Sequence, residues 1–341
     1  MKAAYVGTLT PGSTSLMRAE RLRALTPSTE WVWVDTDSVL IQSERIWQTA
    51  AYRLKAGKAV REINKVTQAA LGSGAYDIVW VDKAIFLEPD TVEHLRKIAR
   101  RLVHFTPDTA FANGRSRHFD KTLRLYDLVV TTKSFDVPEY LRLAGRDTVH
   151  LTTQGYDSDV HFPRNPDSER RDEVIFVGLG EPARERCLAA LMENGITVRL
   201  AGRDWDGFVR RWGRKPNLFY EGPGMFGSAY ATALSQSWIG LGLLSKRFAE
   251  LHTTRTFEIP ACGAILATEA NAETTGFFDA GEALFFTDAN DLASRIKLLL
   301  STEPRENLSA MATRGRNRVV EDRRDNEHIL SAVLADPRIS L

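Results

Sequence analysis

Two glutamates, Glu250 and Glu258, stand eight positions apart with one cation, Arg255, between them. The stretch that holds them, Lys246 to Thr268, reads KRFAELHTTRTFEIPACGAILAT. Apolar runs flank and close it, Ser237 to Leu244 and Ala264 to Ala267, and both read as buried strands. A polar turn, Arg247 to Thr253, leads into a short helix starting near Thr254. Thr253 or Thr254 can cap that helix, and Pro260 with Gly263 limits it. A helix start offers unpaired N–H groups and a partial positive charge, so this one would seat a phosphate, and Arg255 adds a full charge there. Each feature alone has a plain explanation: Glu258 complements the helix dipole, and Arg255 is its solvated partner. The combination is more specific than its parts.

Two more loops in the same half suit an anion. Gly178-Leu179-Gly180 follows a strand-like run, Asp172 to Val177, with Arg184 one turn later. Gly202 and Arg203 follow another, Ile196 to Ala201. Glycine lets backbone approach a phosphate closely, and arginine with backbone N–H groups can stabilise a leaving diphosphate without a metal. Arg184 and Arg255 are the expected pyrophosphate contacts. The glycines also admit a dinucleotide reading, G-x-G-x-x-G with Ala183 in the sixth place and Asp204 as an approximate ribose acid. That reading leaves Glu250 and Glu258 unexplained and ranks below.

These loops need strands to carry them, and the chain alternates strand and helix throughout. Lys2 to Gly7, Trp31 to Val34, Asp77 to Asp82, Leu102 to Thr106, Asp127 to Thr132 and Thr148 to Thr152 read as strands. Helices fall between them, including Glu44 to Ala70, broken near Gly57. Such alternation implies mostly parallel, doubly wound sheets, with ligands beyond the carboxyl ends of the strands. Gln154 to Arg171 is polar and aperiodic, and reads as a linker. The expected fold is therefore α/β, with two Rossmann-like doubly wound domains facing a central cleft. The domains span 1–160 and 172–322, followed by a C-terminal segment, 323–341. In that first domain Thr8, Thr10 and Gly12 follow the first strand, Asp82 and Lys83 end the third, and Asp108 follows the fourth. His118 lies in a polar loop. Asp108 or His118 could contact or deprotonate a bound hydroxyl, although a turn or helix-cap residue and an exposed loop residue are the favoured explanations of each alone.

HTTRTFEIPACGAILATE and GFFDAGEALFFTDANDLASRI resemble the donor-site region of the CgeB-like (spore-maturation-type) glycosyltransferases, relatives of the group-1 enzymes of GT-B fold. DIVWVDKAIFLEPDTVEHLR, LVHFTPD and YDLVVTTKSFDVPEY resemble the other half of that family, in order. The resemblance implies a nucleotide-sugar donor, with Glu250 facing the sugar and Glu258 the ribose hydroxyls. It also implies transfer to an acceptor hydroxyl with retained anomeric configuration, and a C-terminal segment, 323–341, that packs back on the first domain. A carboxylate suits ribose because it accepts two parallel hydroxyl bonds. Another nucleotide-sugar enzyme (an epimerase or phosphorylase) and a non-catalytic two-lobed binder are the competing classes. No metal is expected; Asp35-Thr36-Asp37 has the Asp-x-Asp spacing that a metal-dependent reading would use, but it lies in the first domain. No cofactor is expected, the donor acting as co-substrate.

Composition fits these expectations. A chain of 341 residues exceeds the usual single core. Apolar content of 43% and charged content of 26% are those of a globular protein, and a net charge of +1 exerts no general pull on nucleic acid or membrane. No apolar run is long enough to cross a bilayer. Cys187 and Cys262 lie too far apart to form a metal knuckle. MKAAYVGTLTPGS runs directly into strand and turn without a signal-peptide pattern, so a cytoplasmic protein is expected. Sugar, base, oligomer and acceptor (glycan, protein, metabolite or modified nucleic acid) are not legible.

Overall fold

The computed structural model describes residues 1–112, 115–247 and 249–340. Phe248 of the central stretch and Asn113 and Gly114 of the polar loop lie outside them. The chain divides into two compact units, Met1–Thr153 with Glu327–Leu341, and Gln154–Asn326.

The first unit is built on six strands: β1 (Lys2–Gly7), β2 (Glu30–Asp35), β3 (Tyr76–Asp82), β4 (Ala99–Thr106), β5 (Leu128–Thr131) and β6 (Val149–Leu151). They pair in the order β2-β1-β3-β4-β5-β6, all parallel. Parallel sheets are covered on both faces, so their strands need continuous apolar runs. Ile78 to Val81 and Leu128 to Val130 supply them. Val79, Val81 and Leu102 pack against Val60, Ile63, Val92 and Leu95 of two helices, Lys58–Leu71 and Pro89–Ile98. Tyr5, Trp80 and Phe105 face the other way, against Leu330, Val333 and Ile339. The C-terminal segment therefore completes the first core.

The second unit repeats the plan with β7 (Arg171–Val177), β8 (Thr197–Ala201), β9 (Leu218–Tyr220), β10 (Ser237–Leu241), β11 (Ile265–Glu269) and β12 (Leu284–Phe286). Their order is β12-β11-β10-β7-β8-β9, again all parallel. The chain winds outward from β7 to β9, then returns to lay β10 beside β7. That reversal opens a crevice between the loops that follow β7 and β10.

Several expectations need correction. Gln154 to Arg171 is no free linker. Tyr156 is buried, its carbonyl accepts from Asn326 N at 2.8 Å, and Arg164 N donates to Ser235 Oγ at 3.1 Å. Its polar sequence hides a coil pinned by long-range hydrogen bonds. The strand expected over Ser237 to Leu244 stops pairing at Leu241, because the amides of Leu244 and Ser245 turn to carboxylates instead. Helices at Thr36–Gln42 and Asp206–Trp212 were not anticipated; each is only seven residues long, too short to show a period. The break near Gly57 is present, with Lys55 at φ 52° and Gly57 at φ 106° between two helices.

His104 on β4 is buried with its ring 4.4 Å from that of Phe119. Burial depresses its imidazole from the ordinary 6.5 to about 3, with Asp82 pulling weakly the other way. The unfolded chain then binds a proton that the folded chain refuses, so stability falls as pH drops from 6.5 toward 3. Thermal melts across this range should show a shallower slope for His104→Phe than for wild type; equal slopes would contradict the assignment.

Candidate functional site

The helix carrying Glu258 spans Arg255–Ala261, with Pro260 inside it and Cys262 at its end. Neither threonine caps it by side chain. Thr254 has helical angles, φ −55° and ψ −38°, and makes no side-chain cap bond. Thr253 instead donates its N–H to Thr256 Oγ1 at 3.1 Å, leaving its own buried hydroxyl without a partner. Pro260 does not stop the helix before itself; the helix runs one residue past it, to Ala261.

Around the crevice the side chains converge on Phe176 of β7. Arg184 and Arg255 stack on this one ring, with guanidinium carbons 5.5 and 5.7 Å from its centroid. Arg184 is buried, and its Nη atoms donate to the carbonyls of Leu179 and Leu243 at 3.1 Å each. It thereby ties the loop after β7 to the backbone after β10. Burial lowers its pKa, and the neighbouring Arg255 charge lowers it further. Arg255 reaches the Val177 carbonyl at 3.5 Å. Among the described residues the Nε of Arg184, the Nε of Arg255 and the Thr253 hydroxyl have no hydrogen-bond partner. Two cations beside each other with buried donors unsatisfied cost free energy unless an anion completes the set.

Glu250 and Glu258 occupy different surroundings. Glu250 is half-buried, and its Oε2 accepts the Ser245 N–H at 3.0 Å. Glu258 is only 8% exposed. Its Oε2 accepts from Tyr230 at 3.3 Å, and His161 Nε2 lies 3.9 Å from Oε1. Burial, then the Glu258 charge, raises the Tyr230 pKa well above its ordinary value.

The glycine loops are close-packed against each other. A Cβ on Gly202, at φ 142°, would lie 1.9 Å from the Gly178 carbonyl oxygen, and one on Gly180 would lie 2.1 Å from that of Asp204. The N–H groups of Gly178, Gly180 and Gly202 go to the carbonyls of Ala201, Arg203 and Gly222. These amides are therefore not offered to a phosphate, contrary to the expectation, and glycine is required by loop-on-loop contact. Arg203 lies beside them, exposed.

Sequence reasoning passed over Glu181, Ser245, His161 and Tyr230. Glu181 is buried, accepting Ser245 Oγ at 2.7 Å and Lys246 N at 3.2 Å, with Arg184 Nη1 at 3.4 Å. Glu181 precedes the Pro182–Glu193 helix, yet its carboxylate makes no cap bond to that helix and turns to the loop after β10 instead. Only its place before Pro182 could have marked it. His161 carried no signal at all, since it stands in an aperiodic stretch.

The first-unit candidates separate. Asp82 is sealed, receiving Arg18 through two bonds of 2.7 and 3.1 Å and the Tyr5 hydroxyl at 2.8 Å, so it is no acceptor contact. Lys83 sits at φ 61° and pairs with the exposed Asp108 at 2.7 Å. His118 Nε2 lies 2.9 Å from the Lys55 carbonyl, so that nitrogen carries a proton and donates. Thr8 accepts Ser13 Oγ at its carbonyl (3.2 Å), Thr10 donates to Asp37 at 2.6 Å, and Gly12 turns the loop at φ 82°. Asp35 caps the Thr36–Gln42 helix through the Asp37 N–H and also accepts the Leu9 N–H, both at 3.0 Å. The Asp-x-Asp spacing is thereby accounted for as a helix cap.

Residues 183–335 match the family model described as glycosyl transferase-like, which supports a relationship to the group-1 glycosyltransferases. No curated protein matches the sequence. Solved structures share the fold at low identity. Anabaena HepE in complex with UDP-glucose aligns with a TM-score of 0.64 and 12% identity, covering 98% of this chain and 99% of that one. An E. coli structure described as trehalose-6-phosphate bound with UDP-2-fluoro glucose gives 0.68 and 15%, covering 100% of both. The UDP-forming α,α-trehalose-phosphate synthase of Burkholderia xenovorans, with glucose-6-phosphate, gives 0.68 and 12%, covering 98% and 99%. The fold is GT-B-like, with two Rossmann-like units.

Gly202→Ala should destabilise the second unit by roughly 2–3 kcal/mol through overpacking at an unfavourable φ. Chemical denaturation reads this directly, and a change below about 0.5 kcal/mol would show that the loops are not knitted as described.

Proposed function

We propose that this protein is a glycosyltransferase that moves a sugar from a nucleotide-sugar donor to an acceptor hydroxyl. One observation carries the reading: Arg184 and Arg255, each with an unpartnered Nε, share the Phe176 ring at the strand-order reversal, in the same unit as the unpartnered Thr253 hydroxyl and the buried Glu258. A diphosphate is the anion that would satisfy the donors, and a ribose has the adjacent hydroxyls that a carboxylate accepts. The glycosyl transferase-like match over 183–335 spans Arg184, Glu250, Arg255 and Glu258, and structures of this fold are described with UDP and UDP-glucose.

In this scheme Arg184 and Arg255 offset the charge that grows on the departing diphosphate. Glu258 holds the ribose, Glu250 faces the sugar, and the exposed Arg203 lies on the nucleotide side. The CgeB-like resemblance points to retention by a front-face route, in which the leaving phosphate helps take the acceptor proton. Hexosyl transfer without metal or cofactor, in the cytoplasm, completes the proposal. No described helix is long and apolar enough to cross a membrane. The acceptor is assigned to the first unit, with Thr8, Gly12, Lys83, Asp108 and His118 as its contacts.

Glu258→Ala should weaken nucleoside-diphosphate binding by about ten- to a hundredfold, from loss of roughly 1.5–3 kcal/mol of charge-assisted bonding. Calorimetry on a folded variant with unchanged affinity would remove Glu258 from the site. Glu250→Ala should slow transfer far more than it weakens nucleotide binding, because its partner is the sugar. Equal losses in turnover and affinity would argue against that role.

A further inference from the structure

Glu258 is flanked by two side chains whose roles are fixed by their own hydrogen bonds. The Tyr230 hydroxyl donates to Oε2 at 3.3 Å, and His161 Nε2 faces Oε1 at 3.9 Å. The other ring nitrogen of His161, Nδ1, accepts the backbone N–H of Asp157 at 3.0 Å. A nitrogen that accepts an amide carries no proton, so the proton of the neutral ring resides on Nε2, the atom facing Glu258. The chain around it is a tight turn: His161 N donates to the Asp157 carbonyl at 2.7 Å, and Asp159 N to Asp157 Oδ1 at 3.0 Å. The ring stands edge-on to Tyr230, with centroids 5.9 Å apart. All three side chains are buried.

Each carboxylate oxygen has two lone pairs. Tyr230 occupies one on Oε2. The His161 N–H, too far for a direct bond, polarises one on Oε1 in a poorly solvated setting. One acceptor site therefore remains on Oε2 and both remain on Oε1, enough for two adjacent hydroxyls.

We infer that His161 is a positioning residue: locked by the Asp157 amide as its Nε2–H tautomer, it works with Tyr230 to hold the Glu258 carboxylate ready for the vicinal diol of a nucleotide. The inference rests on the reading that Glu258 binds the ribose, and it adds the device that sets ribose selectivity.

The test compares a ribonucleotide with its 2′-deoxy counterpart. Calorimetry would measure whichever of UDP, GDP and ADP wild type binds most tightly, and its deoxy form, against wild type, H161A, H161Q, Y230F and E258A. Wild type should favour the ribonucleotide by about tenfold. H161A and Y230F should erode that preference, weakening the ribonucleotide more than the deoxynucleotide, which offers Glu258 only its 3′-hydroxyl. H161Q should restore it, because a glutamine amide can accept the Asp157 N–H and present N–H to Glu258. If E258A keeps the preference, or none of the three nucleotides binds, the ribose reading falls and the inference with it. If E258A abolishes the preference but H161A retains it, or H161A weakens both forms equally, the positioning role alone is overturned.

Discussion

The second unit depends on one buried guanidinium. Arg184 joins the carbonyls of Leu179 and Leu243, two loops that strand order brings together and sequence order separates. Glu181 accompanies it, taking the Ser245 hydroxyl and the Lys246 amide. A charge this buried is tolerated only when its hydrogen bonds are largely satisfied. The loop after β10 is thereby fixed, and Glu250, bonded to the Ser245 amide, is fixed with it.

The same tie leaves an electrostatic debt. Arg255 stacks on the Phe176 ring that Arg184 also uses, and the two Nε atoms point at no acceptor. Local rules are broken here while the surrounding packing stays tight, which is the pattern of a site shaped for a ligand. The adjacent glycine loops show the opposite economy. Every glycine amide among Gly178, Gly180 and Gly202 is matched to a carbonyl, and absence of Cβ serves loop packing. Unsatisfied donors thus lie on side chains of the crevice and not on these glycines.

The first unit uses its own crevice differently. β1 and β3 lie side by side with β2 outside them, and the residues there include Tyr5, Arg18 and Asp82. They form a closed hydrogen-bonded pair and hydroxyl, so the strand end is braced from within. What remains open near it is the Lys83 and Asp108 pair, exposed on the acid side at 64%.

Sequence alone determined the alternation of strand and helix and the two-unit architecture, and residue type with spacing drew attention to Glu250, Arg255 and Glu258. Periodicity and residue type are local properties, and long apolar strands declare themselves without context. Tertiary structure decided which side chains meet. Asp82 looked available until Arg18, 64 residues away, closed on it. Gly202 looked ready for phosphate until the Gly178 carbonyl filled its space. His161 came to Glu258 from 97 residues earlier, out of a stretch with no period to read. Partner choice across such separations follows from strand order and burial, and neither is written in the spacing of residues along the chain.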